Sequence, residues 1–167
     1  MLMHELLASM PQRGRVEWIG LRPDKRAALT IVERVEALEN RGLAGDHRSQ
    51  REGGKRQVTL IQAEHLPMLA ALTGHEQIPP EWLRRNIVVS GINLFALRDR
   101  RFLMGDVILE GTGTCPPCSR MEKTLGAGGY NAMRGHGGIT VQVVSGGEIH
   151  IGAEVRLLEA QAQAVSL

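Results

Sequence analysis

The stretch ITVQVVSGGEIHIGAEVRLL, residues 139–158, decides the fold class. It contains three short runs rich in β-branched and other apolar residues, at 139–145, 148–151 and 154–158. Glycine turns at Gly146-Gly147 and at Gly152 separate these runs. Short apolar runs with glycine between them are typical of neighbouring strands in a sheet. The C-terminal part of the chain is therefore predicted to form three closing strands.

The same pattern continues toward the N-terminus. Residues 101–104 and 107–110 flank Gly105-Asp106, a dipeptide that supplies the positive φ of a hairpin turn. Further strands are predicted at 15–21, 28–35, 57–61 and 87–90, and a helix that Gly74 ends is predicted at 62–72. Because no βαβ alternation is present, we expect a mainly β protein, a closed or partly closed barrel with a few short helices. We expect one domain over 13–158, with terminal extensions at 1–12 and 159–167.

Composition narrows the classes of function. The chain has 167 residues, of which 43% are hydrophobic and 23% charged, and its formal net charge is +2. Its low aromatic content of 3% and modest charge argue against nucleic-acid binding. No stretch resembles a signal peptide or a membrane span. We therefore expect a cytoplasmic protein with neither a nucleic acid nor a membrane as its partner.

The cysteine pair in GTGTCPPCSRME, residues 111–122, is the first indication of chemistry. In a reducing compartment, two cysteines in a CxxC spacing favour a metal, cofactor or redox role over a structural disulfide. A helix is predicted from Pro116 to Gly126, so that Cys118 lies in its first turn, where backbone N–H groups and Arg120 favour a thiolate. Cys118 is thus the main candidate for a nucleophile or metal ligand, and Cys115 is the second.

Several interpretations of this pair remain open from the residues alone. A structural zinc site needs further Cys or His ligands, and no second CxxC exists. A thioredoxin-like site needs a longer helix than Gly126 allows. Two buried cysteines without chemistry would leave the proline pair unexplained. A thiolate offered to sulfur, or to a soft metal such as molybdenum, is the interpretation that we favour.

Five motifs in order carry a family resemblance: GLAGDH (42–47), RQVTLI (56–61), RRNIVVSGINL (84–94), GDVILEGTGTCPPCSRME (105–122) and GGITVQVVSGGEIHIG (137–152). Together they resemble the MOSC domain, named for the C-terminal domain of molybdenum cofactor sulfurases. The resemblance covers roughly residues 13–158. It implies a β-rich, barrel-like fold and a role in binding the molybdenum cofactor, molybdopterin, or in transferring sulfur to it. Pyridoxal phosphate binding is a further term associated with the family as a whole.

The resemblance also implies roles for individual residues. Cys118 matches the cysteine that ligates molybdenum in cofactor-binding members, whereas Cys115 falls on a position that is variably cysteine. The RRN segment resembles an Arg-x-Asn motif, which implies that Arg84 and Asn86 contact the pterin or its phosphate. Arginine is chemically suited to this, since its guanidinium is a fixed fork of donors. Further cofactor contacts are predicted for the remaining arginines near these motifs, Arg56, Arg85 and Arg120.

The leading hypothesis is a stand-alone MOSC protein that carries sulfur or ligates the molybdenum cofactor through Cys118. Whether it is an enzyme stays open: a sulfurtransferase or a molybdenum-dependent oxidoreductase acting on N-hydroxylated compounds would both fit. The alternative is a non-catalytic module that binds or delivers the cofactor. A cysteine desulfurase or an electron-donor protein is the expected partner. Because one domain offers little wall to enclose a large pterin, a homodimer is also expected.

Overall fold

Seven strands among the described residues close into a barrel. The computed structural model describes residues 1–158, and the predicted C-terminal extension, 159–167, lies outside the described residues. The barrel is formed by β1 (Gly14–Leu21), β5 (Val58–Gln62), β6 (Ile87–Ser90), β7 (Arg101–Met104), β8 (Val107–Thr114), β9 (Ile139–Ser145) and β11 (Glu154–Leu157). The other strands are β2 (Thr30–Val32), β3 (Arg34–Leu38), β4 (Gly42–Leu43) and β10 (Gly147–His150).

The strand order explains how the barrel closes. Neighbours follow the order β11-β7-β8-β9-β5-β6-β1, and pairing of Gly14 with Val155 joins β1 back to β11. The pair β5–β6 is parallel and the other barrel pairs are antiparallel, so the barrel is mixed. β2 extends the sheet beside β1, while β10, β3 and β4 form a separate small sheet. The predicted mainly β, closed barrel is confirmed.

The helices lie outside the barrel and are short. They are α1 (Met3–Ala8), α2 (His65–Thr73), α3 (Ser119–Leu125) and α4 (Gly129–Met133), with 3-10 turns at His47–Gln50, Pro80–Leu83 and Leu94–Leu97. None of the helices in residues 1–158 is long and apolar enough to cross a bilayer. The predicted domain boundary at residue 13 falls directly before β1.

Two apolar cores position the helices. The barrel interior is filled by side chains of all seven strands, such as Phe102 and Leu109. A second cluster on the outside joins Ile61 of β5 to Met121 of α3 and Met133 of α4. Burying each such side chain stabilises the fold by roughly 1.5–3 kcal/mol. Since Met121 is fully buried, the outer core holds α3 against the barrel, and with it the residue at which α3 begins.

Two sequence-based expectations differ from the structure. The single strand predicted over 28–35 is two strands, β2 and β3, which belong to different sheets because the chain bends at Glu33 between them. The composition of the glycine-rich segment 126–138 predicts a loop, yet the segment contains α4. There, Gly129 lets α4 approach α3, since a Cβ atom would lie 2.6 Å from the Cβ of Leu125.

Candidate functional site

The two cysteines flank a proline pair that links β8 to α3. Cys115 follows the last residue of β8, and its backbone N–H donates to the carbonyl oxygen of Gly138 at 2.8 Å. Cys115 is only 4% exposed, whereas Cys118 is exposed. Both are free thiols. The fold therefore presents Cys118, rather than Cys115, to incoming molecules.

Cys118 is the N-cap residue of α3. Its backbone is extended, with φ −110° and ψ 170°, and its carbonyl oxygen accepts a hydrogen bond of 2.9 Å from the N–H of Met121. The sequence predicts that the helix begins at Pro116. In the structure it begins at Ser119, so Pro116 belongs to the connection between β8 and α3. Because α3 has seven residues, its dipole is short. Charged side chains therefore dominate the electrostatics around the Cys118 sulfur.

Arg85 is a buried cation that holds the cysteine segment in place. Its Nε donates to the carbonyl oxygen of Gly137 at 2.8 Å, and its Nη2 donates to those of Cys115 and Pro116, both at 3.2 Å. Burial lowers the pKa of Arg85, and the Cys115 and Cys118 thiols act in the opposite direction. The charge that supports this segment is thus close enough to both sulfurs to attract either one when it is anionic.

Cys118 opens onto a surface pocket of about 240 Å³, which we call the cationic pocket. It is lined by Arg22, Lys25, His47, Leu83, Arg84, Arg85, Cys118, Arg120 and Met121. Five of these nine side chains are Lys or Arg, and none is Asp or Glu. A pocket of this charge concentrates anions at the Cys118 sulfur.

Arg84 shows that the cations in this pocket repel one another. Its Nη1 and Nη2 donate to the carbonyl oxygens of Ala27 and Lys25 at 2.8 and 3.1 Å, which directs the guanidinium across the pocket toward the β1–β2 connection. Burial lowers the pKa of Arg84, and the positive charges of Arg120 and Arg22 lower it further. A bound anion would relieve this repulsion.

A buried polar network lies beneath the pocket and orients Arg22. Asp46, which is 2% exposed, accepts from Arg22 Nε at 3.2 Å and from Asn86 Nδ2 at 2.8 Å. Asn86 is fully buried; its Oδ1 accepts from the N–H of Thr59 and from Arg22 Nη2. Burial raises the pKa of Asp46, but the charge of Arg22 and backbone hydrogen bonds outweigh this and hold that pKa below its usual value. Asp46 thus remains an anion that fixes one cation of the pocket.

The structure brings together four of the seven residues predicted for the site, namely Cys118, Arg84, Arg85 and Arg120, all in the lining of the cationic pocket. Asn86 lies under this pocket and contacts it through Arg22. Arg56 is exposed and does not line the pocket, although its charge lowers the pKa of Arg85. Cys115 lines a different pocket.

Arg22, Lys25 and His47 were not predicted as site residues. The first two belong to the RPDKR run after β1, whose density of cations was the available signal. Such a run normally lies on a solvated surface, so its sequence does not point to a site. The Nδ1 of His47 lies 3.0 Å from the carbonyl oxygen of Arg22, which brings the GLAGDH segment to this pocket.

Residues 1–158 contain no group of three or more His, Cys, Asp or Glu side chains placed to hold a metal ion. Any metal bound at Cys118 would therefore have one cysteine of this chain and take its other ligands from elsewhere. The site therefore fits only a metal-containing group that brings most of its own ligands.

The fold and the site define a class of protein: a small mixed β-barrel that presents one exposed cysteine beside a pocket of cations. The chain matches the MOSC domain over residues 44–156, and it belongs to the MOSC domain family. The matched span includes the proline pair and both cysteines.

Solved structures share the fold. The YuaD protein from Bacillus subtilis is 20% identical, with 88% of this chain and 97% of that chain covered and a TM-score of 0.73. YiiM from Geobacillus stearothermophilus is 16% identical, with 87% and 75% covered and a TM-score of 0.71. YiiM from Escherichia coli is 17% identical, with 87% and 70% covered and a TM-score of 0.66. No curated protein matches the chain.

Proposed function

We propose that this MOSC protein uses the Cys118 thiolate to carry sulfur for, or to ligate the metal of, the molybdenum cofactor. One observation carries the proposal: the exposed Cys118 shares its pocket with five Lys and Arg side chains and no carboxylate. A thiolate is a ligand that soft metals prefer. Cations recognise the phosphate that the pterin carries.

The residues present fit this group. Cys118, the exposed one of the two cysteines, would supply one thiolate to the metal, and the remaining ligands would come from the cofactor itself. Arg84, Arg120 and Lys25 form no ion pair with any Asp or Glu in residues 1–158, so their charges are available for the phosphate. When bound, the cofactor would supply redox chemistry at molybdenum. The protein would supply the thiolate, the cations and the orientation.

Sulfur carrying requires only Cys118 and a donor. The Cys118 thiolate attacks the outer sulfur of a donor persulfide, R–S–SH; a new S–S bond forms, the donor's S–S bond breaks, and R–S⁻ leaves. Cys118 then holds a persulfide, Cys–S–SH, and the atoms and charges balance. Such a donor is the product that a cysteine desulfurase carries, which makes that enzyme the proposed partner in this role.

The small size of the cationic pocket suggests that a second protein chain helps to enclose the cofactor. At about 240 Å³ the cationic pocket is smaller than the roughly 300–1,000 Å³ of pockets that enclose drug-sized ligands. A pterin bound here would leave much of its surface outside. We infer that a second copy of the chain, or an electron-donor protein, covers the rest.

A non-catalytic role in cofactor storage or delivery is the second candidate. The observation that favours it is the absence of Asp, Glu and Tyr from the pocket lining, together with the position of its one histidine, His47, whose Nδ1 already lies 3.0 Å from the carbonyl oxygen of Arg22. A module of this kind would bind the pterin yet leave Cys118 unmodified by sulfur donors.

Intact-mass measurements test the proposal. Wild-type protein, Cys118→Ser and Cys115→Ser are each incubated with a cysteine desulfurase and cysteine, and their molybdenum content is measured after expression in a molybdenum-replete host. We expect one added sulfur atom or bound molybdenum in the wild type and in Cys115→Ser, and neither in Cys118→Ser. Full molybdenum content in Cys118→Ser, or sulfur retained there, would overturn the assignment. Molybdenum that is lost in Cys118→Ser, without a sulfur adduct in the wild type, would assign ligation to Cys118. Cofactor bound equally by the wild type and Cys118→Ser, again without an adduct, would identify the storage module.

A further inference from the structure

A second pocket, of about 280 Å³, borders the same proline pair but shares no lining residue with the cationic pocket. We call it the aromatic pocket and define it by His65, Phe95, Cys115, Pro117, Tyr130 and His136. We propose that the aromatic pocket binds a small planar aromatic molecule that carries one acidic group. This site goes beyond the cofactor function and does not depend on it.

Planar rings converge on this pocket from four separate segments of the chain. His65 comes from α2, Phe95 from a 3-10 turn, Tyr130 from α4 and His136 from the loop before β9. The His65 and His136 rings meet edge to face at 5.1 Å between centroids and 78° between planes. The Arg98 guanidinium covers one face of the Phe95 ring, 3.8 Å from its centroid. The other rings and the edge of Phe95 can still contact a flat ligand edge to face, as aromatic rings prefer among themselves.

The aromatic residues of this protein are scarce, and two of the five Phe, Trp and Tyr residues lie here. Phe95 is 57% exposed and Tyr130 is 40% exposed, although most large apolar side chains of the chain are in one of the two cores. Large exposed rings that converge on a cavity indicate an interaction site more strongly than scattered ones. The rings therefore form a rim suited to a ligand rather than part of the core.

The charges around the pocket select an anion. Arg134 lines it, and no Asp or Glu does. Part of its wall is formed by Gly137 and Cys115, whose carbonyl oxygens bind the buried guanidinium of Arg85 directly behind. Arg134 Nη1 donates a long hydrogen bond, 3.4 Å, to Asn131 Oδ1. The positive charges of Arg134 and Arg85 disfavour positively charged ligands in this pocket and favour a carboxylate or similar group.

An unsatisfied nitrogen also marks this place. Nδ1 of His65 is buried and has no hydrogen-bond partner among the described residues. Buried polar atoms are paired in the great majority of cases, so an unpaired one calls for an explanation, such as a water molecule or an ion that completes the site. The volume lies just below the usual range for drug-sized ligands, so a molecule of one or two rings fits.

Nuclear magnetic resonance titration of the full chain tests the proposal with three probes. Benzoate has the ring and the negative charge, benzylamine has the ring with a positive charge, and cyclohexanecarboxylate has the charge without a flat ring. We expect benzoate to produce saturable shifts in the amides of residues 134–138, with affinity about tenfold higher than for either other probe. Tyr130→Ala and Arg134→Gln should each weaken benzoate binding severalfold.

Cys118→Ser is the matched control, because it alters the cationic pocket alone and should leave benzoate binding unchanged. This control also separates the two proposals, since loss of the sulfur adduct in that variant says nothing about benzoate. Equal affinity for benzylamine, shifts centred on Arg84 and Arg120, or no saturable shift at all would each overturn the aromatic pocket.

Discussion

The buried guanidinium of Arg85 donates from Nη2 to the carbonyl oxygen of Cys115 at 3.2 Å. This contact links the strand β6 region to the segment that carries both thiols. The sequence motif predicts that Arg85 contacts a cofactor. In the structure, its guanidinium nitrogens donate to backbone carbonyl oxygens of the protein. The cationic pocket therefore depends on Arg85 for the position of Cys118 as much as for charge.

Arg85→Met should destabilise the fold by about 3 kcal/mol, because it leaves buried carbonyl oxygens without donors. Arg85→Lys keeps the charge but not the fork, so we expect an intermediate loss. Urea unfolding of each variant measures the change, with Arg156→Met, a half-exposed arginine, as the control. A loss below about 0.5 kcal/mol for Arg85→Met would show that the segment holds its position without this residue.

Asn86→Asp should destabilise the fold by about 3 kcal/mol, although the shape of the side chain barely changes. It removes the Nδ2 donor and places a second carboxylate at the 2.8 Å contact with Asp46. The loss should shrink in acid as one of the two carboxylates takes up a proton. Chemical denaturation at neutral and acidic pH checks this, and the exposed Asn131→Asp serves as a control that should change little.

Asp46 should make the free energy of unfolding depend on pH in the acidic range. Its pKa is lower in the folded chain than in the unfolded one, where it is about 3.9. The unfolded state then binds the proton more readily, so stability is present above about pH 4 and is lost as pH falls through the folded pKa. In Asp46→Asn, stability at neutral pH should be lower and the acid-dependent part reduced.

Unfolding midpoints measured from neutral pH down to about pH 3 test this expectation. Asp24→Asn removes an exposed carboxylate and is the matched control. An acid dependence in Asp46→Asn equal to that of the wild type would place the responsible group elsewhere.

Arg120→Gln should slow the reaction of Cys118 with an anionic thiol reagent more than with a neutral one. Arg120 lines the cationic pocket and is exposed, and the one hydrogen bond that it forms within residues 1–158 is long, 3.5 Å to the carbonyl oxygen of Lys25. Its loss reduces the attraction for anions without disturbing the core, and we expect about a threefold slower reaction with dithionitrobenzoate. The rate with neutral dithiodipyridine should hardly change.

Stopped-flow absorbance at low ionic strength measures both rates, and added salt should reduce the difference between them. Arg15 is another exposed arginine and lies outside the pocket, so Arg15→Gln is the control. Equal slowing with both reagents would mean that Arg120 acts on the sulfur itself or on its access, and not through steering.

Local pattern was enough to predict much of the barrel. The Gly105-Asp106 hairpin is present, with Met104 paired to Val107, because a two-residue turn fixes its own register. The helix at 62–72 corresponds to α2, and Gly74 ends it in a left-handed conformation. The segment 28–35 and α4 were missed, because contacts with distant strands and with α3 decide their structure.

The candidate site was harder to predict than the fold. Cys118, Arg84, Arg85 and Arg120 stand in motifs that could be recognised, and they do share one pocket. Arg22 and Lys25 reach that pocket from the far end of β1, more than fifty residues before Arg84. Nothing in their local sequence distinguishes them from ordinary surface cations.

The residues alone predict short apolar strands separated by glycine turns, with a CxxC pair after one of these strands. Those properties depend on neighbouring residues, whose backbone preferences and spacing act locally. Tertiary contacts were needed to establish that Cys118 is exposed while Cys115 is buried, that Asn86 supports Arg22, and that an aromatic pocket lies beside the proline pair. Burial and charge at a point in space are sums over residues far apart in the chain, so they exist only once the barrel has closed.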